Sequence, residues 1–441
     1  MAVTARRRRA PLAPVPLVVL VLVVAMIAFS GNSPNAAVSH AGDTYGVTPT
    51  TIRVGALATL SGFASSSFAP VVAGAAAYFD EVNATGGVDG RRILYGPRLD
   101  DGTSPNGDLS AAQQLVQDKV FAVVGVGTPF FTGSSVLQAN AVPTFGLQEN
   151  TNAQWAGPTM FGEGGSYNDF TSPMPQVVYV ARHNGVRRAA VLAYNVAQSQ
   201  EGCISIINAF ARWHIPTPVI DTSIPYGTAS LDADVTRMQQ HGVNFVATCM
   251  DSTGNIKLSQ TLQQHGMGNV TQFWLDGYDQ QILRSHQAAM DGVYFLLQQT
   301  PFEVTKLDPG RYPGIDHFNQ AMARYEPGTL ASVPALAGWV SADLFVTGLR
   351  LIGRDVTRSA LVTAINSLTE YNADGAIPPV NWTVSHTSVT SLDCSSFVQA
   401  RHGRFVPVYG TGKSTYVCFS RQVGPNDSVV TLPLPPGVPG R

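Results

Sequence analysis

Four cysteines, Cys203, Cys249, Cys394 and Cys418, carry the most specific side-chain chemistry in this chain. An even number of thiols in an exported protein favours disulfides, and four allow three pairings. Cys394 and Cys418 flank a β-hairpin, Ser396 to Ala400 and Arg404 to Val408, joined near His402-Gly403. We therefore favour 394–418 together with 203–249; four free, buried thiols are the alternative. No spacing matches a zinc site, since there is neither a C-x-x-C nor an H-E-x-x-H. Gly125-Val126-Gly127 invites a dinucleotide reading, but the third glycine falls on Phe130. Gly412-Lys413-Ser414 resembles the end of a phosphate loop, yet the required first glycine is Pro407 and a strand-like segment follows instead of a helix. There is no G-x-S-x-G, and none of the nine histidines nominates a Ser-His-Asp triad. The expectation is no cofactor, no metal and no enzyme; an exported enzyme on a similar fold is the least favoured reading.

The N-terminus bears on redox compartment. Arg6, Arg7, Arg8 and Arg9 precede an unbroken apolar run from Leu17 to Phe29. Its 13 residues fit a signal h-region of ~7–15 and fall short of the ~20 that span a bilayer. Ser39-His40-Ala41 places small residues before Gly42. Residues 1–42 thus read as a signal peptide, with an uncleaved transmembrane helix as the alternative. No cysteine near the run offers a lipobox. The chain carries a net charge of −2, and loss of the four arginines leaves −6. Such weak acidity argues against nucleic acid, which demands a basic face.

The elements that must position polar groups alternate. Apolar strands are expected at 52–57, 92–95, 120–126, 143–146, 187–193, 217–220, 243–248, 271–275 and 292–297. Helices are expected near 70–83, 107–118, 133–140, 170–184, 200–212, 230–241, 254–265 and 279–288, and from Ala335 to Ile352. This order implies parallel sheets with helices on both faces. Ligands of open α/β sheets bind beyond the carboxyl ends of the strands. The loops there are Thr59–Phe68, Gly127–Ser134, Leu147–Asn152, Tyr194–Glu201, Cys249–Thr253 and Asp276–Asp279.

The stretch from Thr51 to Gly90 resembles the start of type I periplasmic solute-binding proteins, the Leu/Ile/Val-binding branch of ABC transporter substrate-binding proteins. The landmarks are Ser61-Gly62, Asn83 and Gly86-Gly87-Val88-Asp89-Gly90. The resemblance covers about residues 50–410 and is strongest in the first lobe. It implies an α/β fold of two Rossmann-like, hinge-linked lobes. The first would comprise 48–168 plus about 299–370, and the second 169–298 plus about 371–420. Asn381-Trp382-Thr383 would lie on a strand of the second lobe, and 421–441 would be a loosely ordered Pro/Gly-rich tail. Ser61, Thr128, Thr132, Asn150 and Thr151 would serve a ligand carboxylate with hydroxyls and backbone groups. The alternative uses are a helix cap for Thr132 and a turn for Asn150. In the second lobe, Tyr194, Gln200 and either Asp251 or Asp276 match positions given to tyrosines and an ammonium-pairing acid. Ser199-Gln200 stands where a tyrosine is expected, which weakens the case for a branched-chain amino acid. Either Asp can instead be only a helix N-cap. Phe68, Phe130, Phe131, Tyr278 and Trp339 would line the cleft with rings, core packing being the commoner fate of each. The implied function is capture of an amino acid or similar small polar solute by a monomer outside the cytoplasm, for delivery to an ABC permease. The alternative is a membrane-anchored extracellular sensor of the same fold.

Overall fold

The computed structural model describes residues 42–436 except 150, 229, 308–309, 389–393, 411–413 and 420–427. The first sheet is built from β1 (Thr51–Ala58), β2 (Arg92–Asp100), β3 (Ala122–Gly127), β4 (Thr144–Gly146) and β5 (Met160–Gly162), in the order β2-β1-β3-β4-β5. Every neighbouring pair is parallel. β3 is buried at all six positions, as expected of a strand covered by helices on both faces. The Asn83 side chain fastens the Pro70–Ala84 helix to β2, donating to the Ile93 carbonyl at 2.9 Å and accepting from its N–H at 2.8 Å.

The second sheet contains β6 (Ala189–Tyr194), β7 (Val219–Ile224), β8 (Phe245–Cys249), β9 (Thr271–Trp274), β10 (Tyr294–Leu297), β11 (Cys394–Arg401), β12 (Arg404–Val408), β13 (Tyr416–Cys418) and β14 (Ser428–Val429). Its order is β14-β13-β11-β10-β9-β8-β6-β7, with β12 paired to β11. β6 to β10 are parallel, and β11 is antiparallel to β10, β12 and β13. His402 (φ 49°) and Gly403 (φ 72°) form the β11–β12 turn, the two positive φ values that suit a tight hairpin. Disulfides join Cys203 to Cys249 and Cys394 to Cys418.

The 20-residue helix Val333–Ile352 is long and apolar enough to cross a membrane, but 72% of its most apolar window is buried within the protein. It crosses the Pro70–Ala84 helix at reciprocal glycines. A Cβ on Gly74 would stand 1.8 Å from the Ala335 carbonyl oxygen, and one on Gly338 would stand 1.8 Å from that of Val71. Its Phe345 ring lies 6.0 Å from Phe79, 6.2 Å from Phe121 and 5.7 Å from Phe145.

Three expectations are corrected. The helix expected over 170–184 starts only at Pro175, because Asp169 accepts from the Thr171 and Ser172 amides in a local turn. Asn381-Trp382-Thr383 forms a turn, not a strand: Trp382 packs 5.2 Å from Phe161 of β5, and its N–H donates to Leu368. The tail is not loose throughout. β14 pairs with β13, and the Pro433 carbonyl accepts from Arg182 at 3.2 Å.

Candidate functional site

In the first sheet the order in which successive strands are laid down switches sides between β1 and β3, and in the second between β6 and β8. These are the switch points where α/β sheets bind ligands. A cavity of about 290 Å³ opens there, at the lower end of the ~300–1,000 Å³ usual for ligand pockets. The first sheet contributes Phe68 after β1, Pro129 after β3, Gln148 and Glu149 after β4, and Glu163 after β5. The second contributes Tyr194 at the end of β6 and Ser199 after it, Tyr226 after β7, Asp251 after β8, Asp276 after β9, and Gln298 and Gln299 after β10. Leu147, Phe170, Met174, Met250, Leu275 and Leu296 add apolar wall.

The two sheets' loops meet across this cavity. Ser67 and Ser252 hydroxyls are 3.0 Å apart, and Gln198 donates to the Pro129 carbonyl. Tyr226 packs edge-on against Phe63 at 4.9 Å and Tyr194 at 4.9 Å, with Phe130 at 6.2 Å.

Carboxylates dominate the chemistry. Asp251 caps the Ser252–Gln264 helix through the Gly254 N–H at 2.9 Å and also accepts from the Tyr194 hydroxyl at 2.9 Å. It is thus both N-cap and cavity wall. Asp276 accepts from the Ser252 N–H at 2.9 Å, and Glu163 from the Gln148 N–H at 2.7 Å. Burial pushes Glu163 up to about 7 against the lowering pull of the Gln148 amide. Burial, then the negative charges of Asp276, Glu163 and Asp251, hold the Glu149 carboxyl well above its ordinary range. Glu149 lies deep in the protein yet keeps accessible surface, because it faces the open cavity. Burial and the Asp251 charge raise Asp276 too, and burial raises Asp251. At Asp169, burial is outweighed by hydrogen bonds from Ser172 and Thr171, which hold it below the usual range. Among the described residues no lysine, arginine or histidine lines the cavity. The side-chain amide nitrogens of Gln148 and Gln299 are buried without a partner.

Of the residues singled out from sequence, Phe68, Tyr194, Asp251 and Asp276 line the cavity. The others are placed elsewhere. Ser61 is exposed and gives its hydroxyl to Asp100 at 2.5 Å. Thr132 donates to the Pro105 carbonyl at 2.5 Å and to Asp108 at 3.3 Å, and Thr128 is buried beside the same carboxylate. Asp108 also takes the Gly133 N–H, so it staples the loop after β3 from behind. Thr151 forms a capping box with Gln154. Gln200 turns outward to the Thr222 carbonyl at 2.7 Å. Phe130 is not among the lining residues and lies 6.2 Å from the Tyr226 ring. Tyr278 is core, stacked 4.9 Å from Phe302 with its hydroxyl on Glu303; Phe131 and Trp339 are core as well. Asn150 lies outside the described residues. Sequence reasoning missed Gln148, Glu149, Glu163, Tyr226, Gln298 and Gln299. Gln148 and Glu149 stand in the same loop as the expected Asn150 and Thr151, and nothing in the sequence distinguishes them as the inward-facing pair.

Two facing α/β sheets with a polar cavity between their carboxyl-end loops define a two-lobed ligand-binding architecture. A family model described as periplasmic binding protein matches residues 51–403, and the chain belongs to that family. Solved structures agree in fold. A fatty acid ABC transporter substrate-binding protein from Thermomonospora curvata is 18% identical with a TM-score of 0.71, covering 88% of this chain and 97% of its own. The branched-chain amino acid transporter substrate-binding protein LivJ from Streptococcus pneumoniae, in complex with isoleucine, is 17% identical with a TM-score of 0.66, covering 81% and 98%. The leucine-binding protein LivK from Thermotoga maritima is 13% identical with a TM-score of 0.66, covering 81% and 97%. No curated protein sequence matches the chain.

Proposed function

We propose that this protein is the extracytoplasmic substrate-binding component of an ABC importer, capturing an amino-bearing small organic solute between its lobes. The observation that carries the reading is the cavity at both switch points, walled by carboxylates and glutamines from both sheets. Its size suits a small solute, and neighbours bearing the names of branched-chain amino acid and fatty acid transport support a small organic ligand. Hinge closure supplies the signal. A ligand touching groups of both lobes shifts the population toward the closed state, which a permease can distinguish from the open one. Catalysis has no part in this reading: the cavity's carboxylates serve recognition.

Thermal shift against amino acids, amines, amides, organic acids and sugars tests the proposal. A ligand at about 100 times its dissociation constant stabilises the protein by ~2.7 kcal/mol. One chemical class should raise the melting temperature and contract the particle in small-angle scattering. A flat response across all classes would sink the reading.

A further inference from the structure

We propose that the ligand of this cleft is an organic cation without a carboxylate, held between Glu149 of one lobe and Asp276 of the other. The inference rests on the cleft being a solute site, and names the solute's chemistry.

Three observations carry it. The first is the charge inventory. Glu149 and Glu163 approach from loops of the first sheet, Asp251 and Asp276 from loops of the second, and Asp169 lines the cavity as well; among the described residues no basic side chain lines it with them. The nearby Lys257 is engaged with the Thr228 carbonyl, outside the lining. An anionic ligand would meet acids on both walls, with no described basic side chain in contact range to pair with it. An ammonium presents three donors and matches acceptor-only carboxylates.

The second is the state of the groups that would serve a ligand carboxylate. The Ser61 hydroxyl is taken by Asp100, and Thr132 by Pro105 and Asp108, with Thr128 beside that same carboxylate. Thr151 caps its own helix. These bonds lie within the first lobe, so lobe closure does not release them.

The third is independent of the acids. Gln148 and Gln299 are each more than nine-tenths buried, line the cavity, and leave their amide nitrogens unpartnered. Gln148 already uses its carbonyl to accept from Asn168. A buried donor without an acceptor costs ~1–3 kcal/mol, which a ligand oxygen recovers. With the carboxylates already supplying negative charge, that oxygen is uncharged: a hydroxyl, carbonyl or amide. Among the described residues no group of acids, histidines and cysteines is arranged to hold a metal ion, so the cation is organic. The apolar wall of Leu147, Phe170, Met174, Met250, Leu275 and Leu296 takes its carbon skeleton.

Placement across the lobes adds a mechanism. The Asp276 charge raises the proton affinity of Glu149, so with the lobes drawn together and no cation between them the pair repels or holds a proton. A cation between them turns the repulsion into a latch.

The test uses the full chain and a matched panel. Leucinamide, leucinol, isoamylamine, linear amines and guanidines are set against carboxylates of the same skeletons, with leucine as the zwitterion. Binding is read by thermal shift and calorimetry. Cations bearing a neutral oxygen should bind, their carboxylate twins should not, and leucine should bind more weakly than leucinamide. Glu149→Gln and Asp276→Asn should each weaken the best cation at least tenfold while leaving the fold intact by circular dichroism. Tighter binding of a carboxylate or a neutral analogue overturns the inference but keeps a solute site. Undiminished cation binding in both variants overturns it as well. Binding of no solute of either charge overturns the solute-site reading and this inference with it.

Discussion

Raising the pH from 5 to 8 is expected to destabilise the ligand-free protein through Glu163. Burial moves this carboxyl from its ordinary 4.5 to about 7. The folded pKa is the higher one, so the stabilisation is complete below about 4.5 and is lost as the pH rises through 7. At 1.36 kcal/mol per pH unit the ceiling is about 3.4 kcal/mol. Glu163 is only partly covered and faces a solvent-reachable cavity, which reduces this to roughly 1–3 kcal/mol. An unfolding entropy of about 2.1 cal/mol/K per residue over roughly 400 residues turns that into about 1–4 °C. The assay is calorimetry of wild type and Glu163→Gln at both pH values. Glutamine keeps an acceptor for the Gln148 N–H and cannot titrate. The wild-type melting temperature should fall between pH 5 and 8 by at least about 1–4 °C more than that of the variant: groups remote from Glu163 cancel in the comparison, and relief of Glu149 from the Glu163 charge adds to the difference. Equal falls in the two proteins would refute the claim that the cavity imposes a proton on this carboxyl.

Further outcomes follow from other contacts. Gly338→Ala places a methyl against the Val71 carbonyl and should cost at least ~2 kcal/mol by chemical denaturation, because backbone must move; an unchanged midpoint would contradict the reciprocal crossing. Replacing Cys203 and Cys249 together by serine opens a loop of sequence separation 46. The loss should approach ~4 kcal/mol in the chain-entropy description, measured against the wild type under non-reducing conditions. Tyr226→Ala removes the ring that touches Phe63, Tyr194 and Phe130, and should increase the radius of gyration of the ligand-free protein in small-angle scattering. An unaltered scattering curve would count against these rings holding the cleft.

The fold was legible where burial dictates sequence. β1 and β3 are apolar runs because helices cover both faces, and the Pro70–Ala84 helix shows its buried stripe in Val71, Val72, Ala75, Ala76 and Phe79. β5 escaped notice because three residues carry no period. At the site, loop positions were legible and side-chain allegiances were not. Ser61 and Thr132 sit in the right loops, but Asp100 and Asp108, remote in sequence, claim their hydroxyls. Glu163 follows the unread β5, and Tyr226 follows a strand that runs to Ile224, beyond its expected end. From sequence Asp251 fits either a cap or a ligand contact, and its carboxylate both caps a helix and faces the cavity.

The late helix Val333–Ile352 has a consequence for biosynthesis. It covers Phe79, Phe121 and Phe145, yet begins about 190 residues after β4 ends. At ~5–20 residues per second, a growing chain carries that aromatic face uncovered for roughly 10–40 s. The lobe translated first is therefore among the last to be completed, and any product truncated before Phe345 lacks the ring that closes it. Such fragments expose apolar surface and are natural targets for chaperones and proteases.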